Sequence, residues 1–326
     1  MTRNDSIYDT ERYRVLLYYR YVPIDDPADY AALHLTFCRA LGVKGRILVA
    51  GEGINGTISG TLAQTDAYMA AMHMDPRFAG MEFKIDEVEG HVFRKIFVRH
   101  RKELVTMALE ENIDPNVVTG NYLEPEEFHE ALRREDVIVL DGRNYYEYDL
   151  GHFRGAIRPE VKTFKEFPEW IRENLGAYKD RPILTYCTGG IRCEKLSGFL
   201  LQEGFSEVYQ LHGGIINYAQ NPEVQGKLFD GRCYVFDERV SVPVNREEDR
   251  VVSHCRHCAA PSDRYVNCAN LDCDLQFFCC GECDPLHRRS CSSECEEAPR
   301  HEYAPHISPG DYSYYRPRRG ETLPHS

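Results

Sequence analysis

Apolar positions along the chain switch between two periods, and the switches mark its elements. A β-branched and aromatic run over 14–20 predicts a strand. Residues 27–41 then place Ala31, Leu33, His34, Phe37 and Leu41 on the inner face of a helix that Gly42 ends. Short strands over 46–50 and 56–59, a helix over 63–74, and strands near 82–88 and 92–98 complete a β-α-β-β-α-β order. The pattern changes after the Asp114-Pro115 and Glu124-Pro125 joints. A helix over 125–133 is followed by a fully apolar strand over 137–141 that ends in an acid, a short apolar run over 183–186 and another strand over 208–211. Strands without a polar face belong in a parallel sheet with helices on either side. Residues 1–12 and the Pro-, Tyr- and Arg-rich 297–326 show no period, and the tail is expected to be disordered.

The fold class that follows is multidomain α/β. A ferredoxin-like (acylphosphatase-like) α+β domain spans 13–110, an α/β domain with a parallel sheet spans 125–228, and a small Cys-rich region spans 250–296. With 326 residues there is length for two cores. The formal net charge of -13 excludes a general polyanion binder. It leaves one dense basic cluster, Arg94, Lys95, Arg99, Arg101 and Lys102, which reads equally as an RNA contact or as protection of a sheet edge. G-E-G-I-N-G at 51–56 fits a dinucleotide fingerprint formally, but a strand follows it instead of a helix, so its glycines are assigned to positive φ in a hairpin. No run is long enough to span a membrane, and a cytoplasmic protein is expected.

Thirteen cysteines in a reducing compartment point to thiols or metal ligands. Nine lie between 255 and 295. Cys255-x-x-Cys258 and Cys280-x-x-Cys283 have the spacing of a tetrahedral zinc site, and with Cys268, Cys273, Cys291 and Cys295 the eight cysteines would complete two sites, with the ligand pairing left open.

The stretch 181–200 carries the clearest chemistry. A short strand ends at Cys187, Thr188, Gly189 and Gly190 turn the chain, and Ile191, Arg192 and Cys193 lead into a helix. N–H groups of the turn, the helix dipole and the Arg192 charge favour a thiolate at Cys187. Cys193 is either a resolving thiol or the small first residue of the helix. C-x-x-G-x-R, together with L-D-G-R at 140–143, G-H-F-R-G-A-I at 151–157 and L-H-G-G at 211–214, resembles a rhodanese domain. In that family the first loop cysteine carries a persulfide. Gly142 and Tyr218 depart from the usual pattern without touching the loop. An ion pair between Arg143 and Glu147 and a structural role for His152 are expected.

A-G-E-G-I-N-G-T, T-F-K-E-F-P-E-W, Y-C-T-G-G-I-R-C-E-K and the Cys-rich end together resemble the TrhO family of oxygen-dependent tRNA uridine 5-hydroxylases. The resemblance implies hydroxylation of the wobble uridine at C5, O2 as co-substrate, the tRNA anticodon loop as partner and Cys187 as the essential residue. No flavin or iron site is recognised in the sequence. A rhodanese-type sulfurtransferase is the alternative, and a non-enzymatic zinc-knuckle RNA-binding scaffold the third reading. Tyr18, Tyr19, Phe93 and Phe97 are aromatic candidates for base contacts, each with a competing place in the core.

Overall fold

The structure, a computed structural model, describes residues 12–273 and 275–303. The chain divides into two compact units, residues up to 120 with Ile191–Glu203, and Asn121–Gly190 with Gly204 onward.

The first unit is built on β1 (Tyr13–Tyr21), α1 (Pro27–Leu41), β2 (Lys44–Ala50), β3 (Gly53–Thr61), α2 (Leu62–Met74), β4 (Lys84–Val88) and β5 (Ile96–His100). Its sheet runs β4-β1-β3-β2, the ferredoxin-like arrangement, with β5 added parallel to β2 at the far edge. On α1, Ala31, His34 and Cys38 are buried, whereas Leu33 is 72% exposed. Leu33 was expected on the inner face. At 100° per residue it lies a full step round from His34, and only one of the two can face the sheet. G-E-G-I-N-G does form the hairpin between β2 and β3, yet of its glycines only Gly53 has positive φ. Gly56 serves another need, because a Cβ there would stand 2.3 Å from the Tyr18 hydroxyl. Tyr18 is fully buried, bonded to the Tyr68 hydroxyl, which in turn meets His34 Nε2 at 2.8 Å. Burial lowers the His34 pKa to about 4.

Strand β5 begins at Ile96, four residues later than the sequence suggested, because Val92 and Phe93 are buried against Val15 and leave the ladder. The Ile191–Gln202 helix also belongs to this unit, where Gly198 lets the backbone of Val118 approach to 2.6 Å of a would-be Cβ.

The second unit opens with β6 (Asn121–Leu123), α3 (Pro125–Ala131), β7 (Ile138–Asp141), α4 (Tyr145–Leu150), β8 (Gly151–Phe153), α5 (Phe167–Asn174) and β9 (Ile183–Tyr186). With the Ile191–Gln202 helix counted as α6, β10 (Val208–Leu211), α7 (Gly214–Gln220), β11 (Phe229–Tyr234) and β12 (Ser241–Pro243) follow. The strands β6-β10-β9-β7 are all parallel. Every residue of β7 and β9 is buried, Asp141 and Thr185 included, as strands covered on both faces require. Phe153 is the centre of the core, edge-on to Tyr186 at 4.8 Å, to Tyr218 at 4.9 Å and to Phe229 at 5.2 Å.

The Cys-rich region folds onto the same unit. Tyr265 of the hairpin β13 (Tyr265–Asn267) and β14 (Gln276–Phe278) is buried with Leu150 and Val240, and Arg232 lies 3.6 Å from Asp263. The first seven residues of the segment assigned to the tail, 297–303, are tied down: His301 bridges to Asn270, and Arg300 pairs with Asp272 at 2.7 Å. Residues 304–326 and 1–11 lie outside the described residues.

Candidate active site and cysteine quartets

Strand β9 delivers Cys187 to a turn whose residues 187–190 are all buried. The Gly190 N–H donates to Cys187 Sγ at 3.1 Å, with Gly190 at φ +104°. A donor aimed at sulfur favours the anion. The loop is held from below by α7: the N–H groups of Ile215 and Ile216 donate to the carbonyls of Cys187 and Thr188 at 2.9 and 3.1 Å. That contact explains the second glycine of L-H-G-G, since a Cβ on Gly214 would stand 2.5 Å from the Cys187 carbonyl. Thr188 Oγ1 donates to the Tyr234 carbonyl at 3.4 Å, so β11 forms one wall of the loop. Cys187 is 1% exposed, so a ring the size of a pyrimidine reaches Sγ only when neighbouring side chains move.

Arg143 does not pair with Glu147 as expected. Its guanidinium binds Asp141 at 2.6 Å and the Gly151 carbonyl at 2.7 Å, with both charged side chains sealed from solvent. Glu147 is instead drawn to the start of α4, where it accepts from the Asn144 N–H in a capping box. Tyr186 donates to the same Asp141 carboxylate at 2.7 Å. His152 stacks on Tyr148 at 3.8 Å and bonds its carbonyl, the contacts of a structural residue.

Arg192 and Cys193 lie in the first turn of α6, both buried. The two charged residues after them went unassigned in the sequence, and the first unit explains them. Lys195 is fully buried, with Nζ 2.9 Å from Glu52, 3.2 Å from Glu103, 2.9 Å from Asn112 Oδ1 and 3.1 Å from the Val105 carbonyl. Glu194 accepts from Tyr19 and Thr119 at 2.8 and 3.0 Å. Glu52 is the acid of G-E-G-I-N-G, and the Leu104 N–H donates to it at 2.7 Å. Thus C-E-K and G-E-G, far apart in sequence, meet in one buried ion cluster. The signal was available: a Glu-Lys pair inside an otherwise apolar helix must be solvated by protein.

The basic cluster lies exposed at the β5 edge. Half-buried Phe97 is flanked by Lys95 at 4.9 Å and Arg99 at 5.0 Å, both over its ring. Arg46 pairs in register with Phe97 and adds a further exposed cation that sequence reasoning missed. Arg94, Arg101 and Lys102 are exposed at either end of the strand. Of the other aromatic candidates, Tyr18 and Phe93 are core residues.

The cysteines form two quartets, Cys255, Cys258, Cys280 and Cys283, and Cys268, Cys273, Cys291 and Cys295, with each set of sulfurs within 4.8 Å. The quartets interleave along the chain, and the two C-x-x-C knuckles share one of them. Burial raises the Cys255 thiol, but the N–H groups of Cys280, Cys258 and His257 outweigh it and hold it at about 6. The Asn270 amide helps bring Cys295 to about 7. Four sulfurs this close to one another form in each quartet a donor set that could hold a metal ion, which would displace their protons. The ninth sulfur, Cys279, is outside both sets, and burial pushes it up to about 12.

Residues 13–104 match the family description "UPF0176 acylphosphatase like domain", residues 124–221 match "Rhodanese-like domain", and residues 230–296 match "Rhodanase C-terminal". A tRNA uridine(34) hydroxylase of Bacillus licheniformis is 61% identical over 90% of this chain and 91% of its own. The chain belongs to the tRNA uridine(34) hydroxylase family. Hydroxylases of that name from Bacillus cytotoxicus and Bacillus thuringiensis are 58% and 56% identical, over 89% and 90% of this chain and 90% and 92% of theirs. In this family's terms, the N-terminal unit, the Cys187 loop and the cysteine quartets fall in three successive matched segments.

Proposed function

We propose that this protein hydroxylates C5 of the wobble uridine, position 34, in the anticodon loop of tRNA, in the cytoplasm, with O2 as oxidant and Cys187 as nucleophile. The observation that carries the reading is near full-length identity to hydroxylases of that substrate, joined to a loop that aims an N–H at the one sulfur ending β9. Uracil C5 is a poor nucleophile until something adds at C6. Addition of the Cys187 thiolate there makes C5 enolate-like and able to attack an oxidant; loss of the C5 proton and expulsion of the thiolate restore the ring. The balance is one C5–H, O2, two electrons and two protons giving C5–OH and water, so a two-electron donor is also consumed. The same sulfur as a persulfide would serve a sulfurtransferase, and the near full-length identity favours hydroxylation over it.

Arg94, Lys95, Arg99, Arg101 and Lys102, with Arg46, contact tRNA phosphates in this reading, and Phe97 lies among them as a stacking ring. Zinc fills the two cysteine quartets, because four thiolates in a tetrahedral set select it over hard cations. Nucleoside mass spectrometry of tRNA from cells with and without the gene tests the function. Loss of 5-hydroxyuridine and its derivatives is expected on deletion, and unchanged levels would contradict it.

A further inference from the structure

Beyond the loop, a set of rings gathers round the end of β11 that the chemistry above leaves unused. Its Tyr234 carbonyl receives the Thr188 hydroxyl, and Phe236 stands two residues further on, edge-on to Tyr234 at 5.1 Å. Tyr146 meets Tyr234 edge-on at 5.5 Å, and Tyr265 does so at 6.2 Å. Exposure grades outward through this set: Tyr265 is 8% exposed and Phe236 is 47% exposed. The turn bearing Phe236 is braced. Val235 and Val240 are buried and joined by an N–H···O bond of 2.8 Å, and Asp237 caps the turn while bound to Arg239 at 2.7 Å. A large ring is therefore presented to solvent from a braced turn, two residues beyond the Tyr234 carbonyl that receives the hydroxyl of the residue after Cys187.

We propose that Phe236, backed by Tyr234, is the stacking platform for the pyrimidine ring offered to Cys187. The inference rests on the hydroxylation reading and names where the target base is held. Unpaired RNA bases are recognised by stacking on aromatic faces, which is insensitive to base identity and fixes the ring plane. Such a platform beside the loop supplies orientation, while the sulfur supplies the chemistry. The Phe97 edge in the first unit is then left to the tRNA backbone.

The test uses the full-length protein and a short anticodon stem-loop RNA carrying 5-iodouridine at position 34, which crosslinks to aromatic side chains on irradiation. Peptide mapping is expected to find the RNA on Phe236 or Tyr234. A crosslink confined to Phe97, or to residues outside the β11–β12 segment, would overturn the proposal. In parallel, F236L is expected to lower kcat/KM for tRNA hydroxylation about tenfold or more, the loss of one base–aromatic stack. F236W should restore it, and both should alkylate at Cys187 at the wild-type rate. Equal hydroxylation by F236L and wild type would overturn the platform. Absence of hydroxylation by the unsubstituted protein would overturn the parent reading with it, a result distinguishable because it needs no substitution.

Discussion

At Cys187 the local chemistry comes from three backbone N–H donors: Gly190 donates to sulfur, while Ile215 and Ile216 of α7 hold the carbonyls of the turn. A thiolate so placed is expected to form below the ordinary cysteine value of about 8.5. The rate of alkylation by a small reagent, followed against pH, should show a midpoint below that value in wild type and in C193S, and no such component in C187S. A midpoint at or above 8.5 would remove the thiolate from the account, and a component lost only in C193S would move it to the helix. His34 offers a separate test in the first unit. Burial lowers its pKa from 6.5 to about 4, so the unfolded chain binds a proton that the folded one refuses. Its neutral form is at no disadvantage above pH 6.5, and stability falls as pH drops from there towards 4, by about 3 kcal/mol in all. H34Q should flatten that part of the thermal-unfolding profile; an unchanged slope would show that other groups set it.

At the scale of elements, much could be read from pattern alone. Helix α1 spans the residues its period marks, and β9 and β10 coincide with the strands read over 183–186 and 208–211. What pattern could not give was which residues at a distance would meet. Lys195 and Glu52 are a conspicuous pair only once β2, β3 and α6 are assembled, and whereas the two C-x-x-C knuckles marked one quartet, Cys268, Cys273, Cys291 and Cys295 interleave with them without a spacing motif of their own. Strand β5 illustrates the same limit: Val92 and Phe93 continue the apolar run in sequence but turn away to cover Val15. Reversing Arg99, Arg101 and Lys102 to Glu should weaken tRNA binding and flatten the dependence of log K on log salt, because fewer counterions are released. A slope equal to that of wild type would return the strand to simple edge protection. Chelation of the purified, reduced protein should release zinc and open 255–295 to protease while Cys187 alkylation persists. No released zinc, with an unaltered digestion pattern, would contradict the metal assignment.

For the whole molecule, three successive segments carry the candidate features: a basic edge in the first unit, the sulfur loop in the second, and the cysteine quartets packed on that same second unit through Tyr265. Among the described residues no helix is long and apolar enough to cross a membrane. The acidic balance of the chain confines any nucleic-acid contact to local patches, which sequence composition already indicated, whereas the Arg46 contribution to such a patch required the β2–β5 register. Cys187 is the residue proposed to perform the hydroxylation. Its most direct measurement is 5-hydroxyuridine at position 34 in tRNA from deletion cells supplied with wild-type protein or with C187S. Wild type should restore the modified nucleoside and C187S should leave it absent, with the variant still folded and still binding tRNA; restoration by C187S would contradict the account.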